Sequence, residues 1–301
     1  RSLQNQNAGA DAYNVAIGYD SGLTMTTGVQ NTLIGSLAGD ALTTGSDNVA
    51  LGYAALSQED TGGRSVAIGR SALTSQNNDA SNYNVAVGYN SGVSVTTGVQ
   101  NTIIGGLAGD SLTTGDNNTA MGYLALSSET LGDRSVAIGN FALQNQNNTS
   151  DTDVYNVAIG YDAGNDITTG VYNTIMGGLA GDALTTGSRN IAIGFGALTS
   201  EDAHGRNVAI GYAALETQDA GTDANNVAVG FNAGNAVTTG VQNTLIGGAA
   251  GDALTEGDNN IIIGYNAAAS AVSASNETVI GTTTTTSALV HGLKQPVIAA
   301  S

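Results

Sequence analysis

Apolar and polar residues alternate along this chain in short bursts that recur at fixed intervals. Each burst is a nine-residue unit: NVAIGYDSG from Asn14, NTLIGSLAG from Asn31, NVALGYAAL from Asn48 and SVAIGRSAL from Ser65, restarting as NVAVGYNSG at Asn84. Sixteen copies begin at 14, 31, 48, 65, 84, 101, 118, 135, 156, 173, 190, 207, 226, 243, 260 and 277. The spacing is 17 residues except after 65, 135 and 207, where it is 19, 21 and 19. A constant period combined with strand-like alternation predicts a repeat architecture in which each copy is one coil of a solenoid.

Read by column, the unit is stringent. The second position is β-branched in all sixteen copies, and the fourth is Ile, Leu, Val or Met in all sixteen. A period of two places these positions on one side of a strand, and they are expected to form the stacked aliphatic core. The third position is Ala in ten copies, Leu or Ile in five and Val279 in the last. Apolar residues on that opposite face predict a second interface, where solenoids meet as a parallel homo-oligomer, most simply a trimer. The first position, usually Asn, is expected to stack as an amide ladder that satisfies turn backbone.

The fifth position is glycine throughout: Gly18, Gly35, Gly52, Gly69, Gly88, Gly105, Gly122, Gly139, Gly160, Gly177, Gly194, Gly211, Gly230, Gly247, Gly264 and Gly281. An invariant glycine after a four-residue strand signals a sharp bend or a positive φ. A second short strand is expected beyond it, through the small eighth position (Ser21, Ala38, Ala55, Ala72) and then Leu23 and Met25 or Leu42. The expected fold is therefore all-β, a parallel β-solenoid of about 16 rungs forming a homotrimeric rod roughly 75 Å long at about 4.8 Å per coil.

Every fourth rung carries an insertion, which divides the repeats into super-repeats at 14–83, 84–155, 156–225 and 226–285. The second rungs carry GDALTTG or GDSLTTG, the third rungs an acidic stretch such as SQEDTGGR, and the fourth rungs an Asn/Asp/Ser-rich insertion such as TSQNNDASNY. Residues 1–13 match the end of a preceding fourth rung, and 286–301 read as a tail or a junction to a further domain.

Composition narrows the function. The 43 glycines against one proline disfavour long packed helices. With 7 Lys and Arg against 25 Asp and Glu, the formal charge is −18, which argues against nucleic acid or an anionic membrane as partner. No apolar run long enough for a membrane helix occurs, and the absence of cysteine excludes disulfides and thiolate chemistry.

The repeated N-[VT]-A-[IVLM]-G-x-x-[AS] resembles the head repeats of trimeric autotransporter adhesins, and more closely the repeats of bacteriophage tail fibres. The resemblance covers residues 14 to 285. It implies a left-handed parallel β-roll, a parallel homotrimer and a place in the virion tail fibre beside other tail proteins. The segment NETVIGTTTTTSALVHG from Asn276 resembles the last rung of fibres that continue into an endosialidase-type intramolecular chaperone. Neither that chaperone nor a β-barrel anchor is found in the chain, which ranks the fibre above the alternative, an adhesin head on a bacterial cell surface.

No catalytic cluster, metal site or cofactor is expected. His204 and His291 lie about five rungs apart, which argues against a triad or a zinc site. Asp40, Asp110, Asp182 and Asp252 share a column but sit about 19 Å apart, too far for the paired acids of a glycosidase. Glu59, Glu129 and Glu201 fall in third-rung turns, where acids are expected to keep a rod soluble. What remains is a non-enzymatic structural and adhesive role, with the variable insertions as candidate contacts for a host-surface glycan or protein: Asn77, Asn78, Asp79, Asn82 and Tyr83, then Asn147, Asn148, Asp151, Asp153 and Tyr155. The tyrosines that follow the invariant glycine, such as Tyr19 and Tyr53, read as packing features.

Overall fold

The computed structural model describes residues 1–9 and 11–285, and the proposed tail at 286–301 lies outside them. Sixteen three-residue strands, β1 (Val15–Ile17) through β16 (Thr278–Ile280), form one parallel sheet in strict chain order. Each strand pairs with the next in the register of the sequence repeat: Val15 faces Thr32, Ala16 faces Leu33 and Ile17 faces Ile34. The register is kept across the longer rungs, where Val66 pairs with Val85 and Val136 with Val157. The molecule is a β-solenoid of about sixteen turns.

The two faces of the strand are the reverse of the expectation. The third column points inward, and Leu33, Ala50, Ala67 and Ala86 are fully buried. The second and fourth columns point outward and are half-buried or exposed, Val15 at 46% and Ile17 at 60%. Both faces are mostly apolar, so polarity alternation could not separate them; what distinguishes the inward column is alanine, which the two outward columns lack. A coil of 17 residues encloses little space, and alanine suits its inside.

Opposite the sheet there is no second strand among the described residues. After the invariant glycine the chain runs through stacked turns, with the seventh and ninth positions both left-handed: Asp20 and Gly22, Leu37 and Gly39, Ala54 and Leu56, Ser71 and Leu73. Alternating left-handed residues cannot continue a strand, whose φ is negative throughout. No non-glycine residue with positive φ among those described is β-branched, in keeping with the steric cost there. These turns still bond from coil to coil, as in Gly22 N–H to Ala38 O at 3.0 Å and Thr26 N–H to Thr43 O at 2.9 Å.

The core alternates between two ways of filling one coil. In first and second rungs the ninth residue is Gly22 or Gly39, and the twelfth, Met25 or Leu42, supplies the apolar bulk. The Leu33 methyls lie against both glycines, at 2.9 Å from where a Cβ would stand on either. In third and fourth rungs the ninth residue is Leu56 or Leu73, and the twelfth is a buried polar residue, Glu59 or Gln76.

The asparagine ladder forms as expected, with a definite geometry. Asn31 Nδ2 donates to Gly45 O at 2.9 Å, and Asn31 Oδ1 accepts the Asn48 N–H at 3.0 Å, so each amide closes its own coil and ties it to the next. Residues 1–7 stack on the first rung as later fourth rungs do on theirs, with Leu3 N–H bonded to Ser21 O and Asn7 N–H to Thr26 O.

Candidate functional site

The fourth-rung insertions fold back onto the third rung of their own block. Gly63 pairs with Ser81 and Asp133 with Asp153 in isolated parallel bridges, which fix the insertions as ridges along one side of the solenoid. The last residue of each rung is left-handed, as at Arg64, Tyr83, Arg134 and Tyr155, and its side chain stands outward. Arg64 lies 5.6 Å from the Tyr83 ring centroid and donates to its hydroxyl at 3.1 Å. Arg134 lies over Tyr155 at 5.7 Å and pairs with Asp153. A shallow groove of about 380 Å³ runs beside the first ridge, lined by Thr44, Asp47, Thr61, Arg64, Asp79 and Ser81.

The ten candidate contacts divide by burial. Asn77, Asp79, Tyr83, Asn147, Asp151, Asp153 and Tyr155 are exposed, and Asn78 is half-buried with its amide on Thr97 O at 2.9 Å. Asn82 and Asn148 are buried, and their amides donate to carboxylates inside the coil, Glu59 at 2.9 Å and Glu129 at 3.1 Å. Those two serve the insertion's own fold.

The glutamates of the third-rung turns are internal, contrary to a solubilising role. Glu59, Glu129 and Glu201 are all fully buried. Glu129 is saturated: one oxygen accepts the N–H groups of Thr130, Leu131 and Gly132 at 2.8–3.1 Å, and the other accepts Gln146 Nε2 at 2.9 Å and the Asn148 amide. Glu59 is held similarly by Gly62 N–H, Gln76 Nε2 and Asn82 Nδ2. A buried carboxylate with this many donors is compensated in place.

The third block departs from this pattern. Glu201 Oε1 accepts the His204 N–H at 3.1 Å, while Glu201 Oε2 is buried without a partner. The His204 imidazole Nδ1 lies 3.4 Å from Glu201 Oε1 and is itself otherwise unpartnered. Burial pushes the Glu201 carboxyl above the usual carboxylate range, against the His204 amide and imidazole, which pull it down. One ligand atom from each of Glu201, Asp202, His204 and Asp219 falls within 4.8 Å of all the others. Sequence reasoning missed this grouping by treating His204 alone; the available signal was positional, because His204 stands where the first two blocks have Gly62 and Gly132.

The aromatics after the invariant glycine lie on the surface, half-exposed, and contact one another rather than the core. Tyr212 stacks between Phe195 and Phe231 at 5.7 and 5.2 Å, and Arg70 sits between Tyr53 and Tyr89 at 5.6 and 5.7 Å. The strips are interrupted at second rungs, where Ser36, Gly106, Gly178 or Gly248 takes the position.

No protein-family model matches the chain, and no curated protein is similar to it. No helix among the described residues is long and apolar enough to cross a membrane.

Proposed function

We propose that this chain is a structural and adhesive fibre segment of the bacteriophage tail-fibre type, assembled as a parallel homotrimer. The observation that carries this reading is the outer face of the sheet. Two β-branched or aliphatic columns run its whole length on sixteen strands, uninterrupted by any insertion, and stay half-exposed or exposed in the single chain. A strip of this extent and regularity, aliphatic throughout its fourth column and broken in its second only by threonines such as Thr32 and Thr102, suits burial against a surface of the same period, and copies of the chain in parallel register provide it. In a trimer each insertion occurs three times, and that repetition raises the avidity of weak sugar contacts.

Two measurements test the reading. Light scattering should give a mass three times that of the 29.8 kDa chain, and a stable folded monomer would overturn the assembly. Deleting the extra residues of the insertions at 74–83, 144–155 and 216–225 should leave a folded trimer that no longer binds host cells as the intact fibre does. Unchanged binding would assign the segment to spacing alone.

A further inference from the structure

We propose that Glu201, Asp202, His204 and Asp219 form a binding site for a divalent transition-metal ion, one per chain. The comparison among the three blocks carries the inference. In the first two, the buried glutamate is surrounded by donors; in the third, each substitution around it removes a donor or adds an acceptor. Asn78 and Asn148 give way to Ala220, and Asn82 to Ala224, so the asparagine amides that hold Glu59 and Glu129 have no counterpart, while Gln218 keeps the place of Gln76 and Gln146 but its Nε2 is not bonded to Glu201. Asn77 and Asn147 give way to Asp219, an amide replaced by a carboxylate. Gly62 and Gly132 give way to His204, whose ring nitrogen is directed at the carboxylate.

The result is a buried carboxylate oxygen and a buried imidazole nitrogen, both unpartnered, with two exposed aspartates at the mouth. A cation satisfies all four at once. Ligands to zinc at about 2.0–2.2 Å in tetrahedral array lie roughly 3.3–3.6 Å apart. The present spread, 4.8 Å at most, closes to that by turning Asp202 and Asp219, both free to move at the surface. One imidazole among three carboxylates favours a first-row transition ion such as Zn²⁺ over Ca²⁺ or Mg²⁺, which take oxygen ligands. An ion there would bridge the third-rung turn to the following insertion and pin that insertion in the third block, as the Glu129 network does in the second.

The test uses the full chain, stripped with chelator and titrated with Zn²⁺ by calorimetry and thermal melting. The expected result is one tight site per chain and a higher melting temperature in Zn²⁺. His204→Gly and Asp219→Asn install the type of residue that the first two blocks carry there, so both variants should fold. His204→Gly should abolish the tight site while leaving His291 in place, and Asp219→Asn and Glu201→Gln should each weaken it at least tenfold. A chain that binds no Zn²⁺, or whose binding survives His204→Gly, overturns the proposal, leaving His204 and Glu201 as an ion pair with Gln218 turned toward the carboxylate. Ca²⁺ bound as tightly as Zn²⁺ would overturn the nitrogen ligand.

Discussion

The invariant glycine of the fifth column answers two separate constraints. Gly105 has φ of +135°, outside the regions open to other residues, and a Cβ placed on it would overlap the carbonyl of Gly122 in the next coil. The bend was legible from the sequence, since only glycine occupies the column; the second constraint was not, because it arises between coils. Gly105→Val should therefore destabilise by more than the roughly 1–3 kcal/mol of backbone strain alone. The check is thermal melting, where an unchanged midpoint would contradict both constraints. Acidic residues on the second rungs predict a pH dependence. Burial raises the carboxyls of Asp40, Asp110 and Asp182, and Asp40 Oδ1 is buried without a partner. Since the folded chain holds these protons more tightly than the unfolded one, stability falls as pH rises through their titration. Melting temperature should climb as pH is lowered from 7 into the carboxylate range, and Asp40→Asn, Asp110→Asn and Asp182→Asn together should raise it at pH 7 and flatten the slope. A triple variant with the parent slope would refute the assignment.

At the scale of the coil, the ninth and twelfth positions act as a pair. Glycine at the ninth comes with an apolar twelfth, as Gly39 with Leu42, and leucine at the ninth comes with a buried polar twelfth, as Leu126 with Glu129. The period, the strand positions and the asparagine ladder could all be read from the chain, because each repeats sixteen times with little variation. The direction of the faces could not, since Val49, Ala50 and Leu51 are all apolar and only the volume inside the coil separates them. The stacked turns were also hidden: residues such as Leu56 adopt φ of +54° with no glycine to announce it. The buried acids were misread because Glu59 and Glu129 fall in stretches rich in turn residues, and their side-chain partners come from the next rung. Glu129→Ala should be severe for its size. It leaves three backbone N–H groups, the Asn148 amide and one of the two Gln146 amide hydrogens without an acceptor, the other staying on Ser135 Oγ, at about 1–3 kcal/mol for each group left buried and unpaired. Denaturant unfolding would measure the loss, and a change under about 1 kcal/mol would mean that water replaces the carboxylate.

Over the whole molecule, the inward and outward columns make opposite demands, and this separates the core from the proposed interface in one experiment. Ala67, Ala137 and Ala209 lie in the third column of the fourth rungs and are fully buried; Ile68, Ile138 and Ile210 follow them in the fourth column and are only partly covered. A carboxylate at the alanine sites has neither space nor donors, so Ala67→Glu, Ala137→Glu and Ala209→Glu combined should prevent folding. At the isoleucine sites the single chain leaves room for the charge to reach solvent. Ile68→Glu, Ile138→Glu and Ile210→Glu combined should then keep the circular dichroism of the folded coil. In a parallel trimer the same three substitutions place like charges against each other at three levels along an apolar contact, where repulsion and desolvation add. The expected outcome is a folded protein whose mass falls from that of the trimer toward the 29.8 kDa of one chain. A variant that keeps the parent mass would remove the outer aliphatic face from the assembly. One that unfolds like the alanine set would mean that the coil stands only when that face is covered.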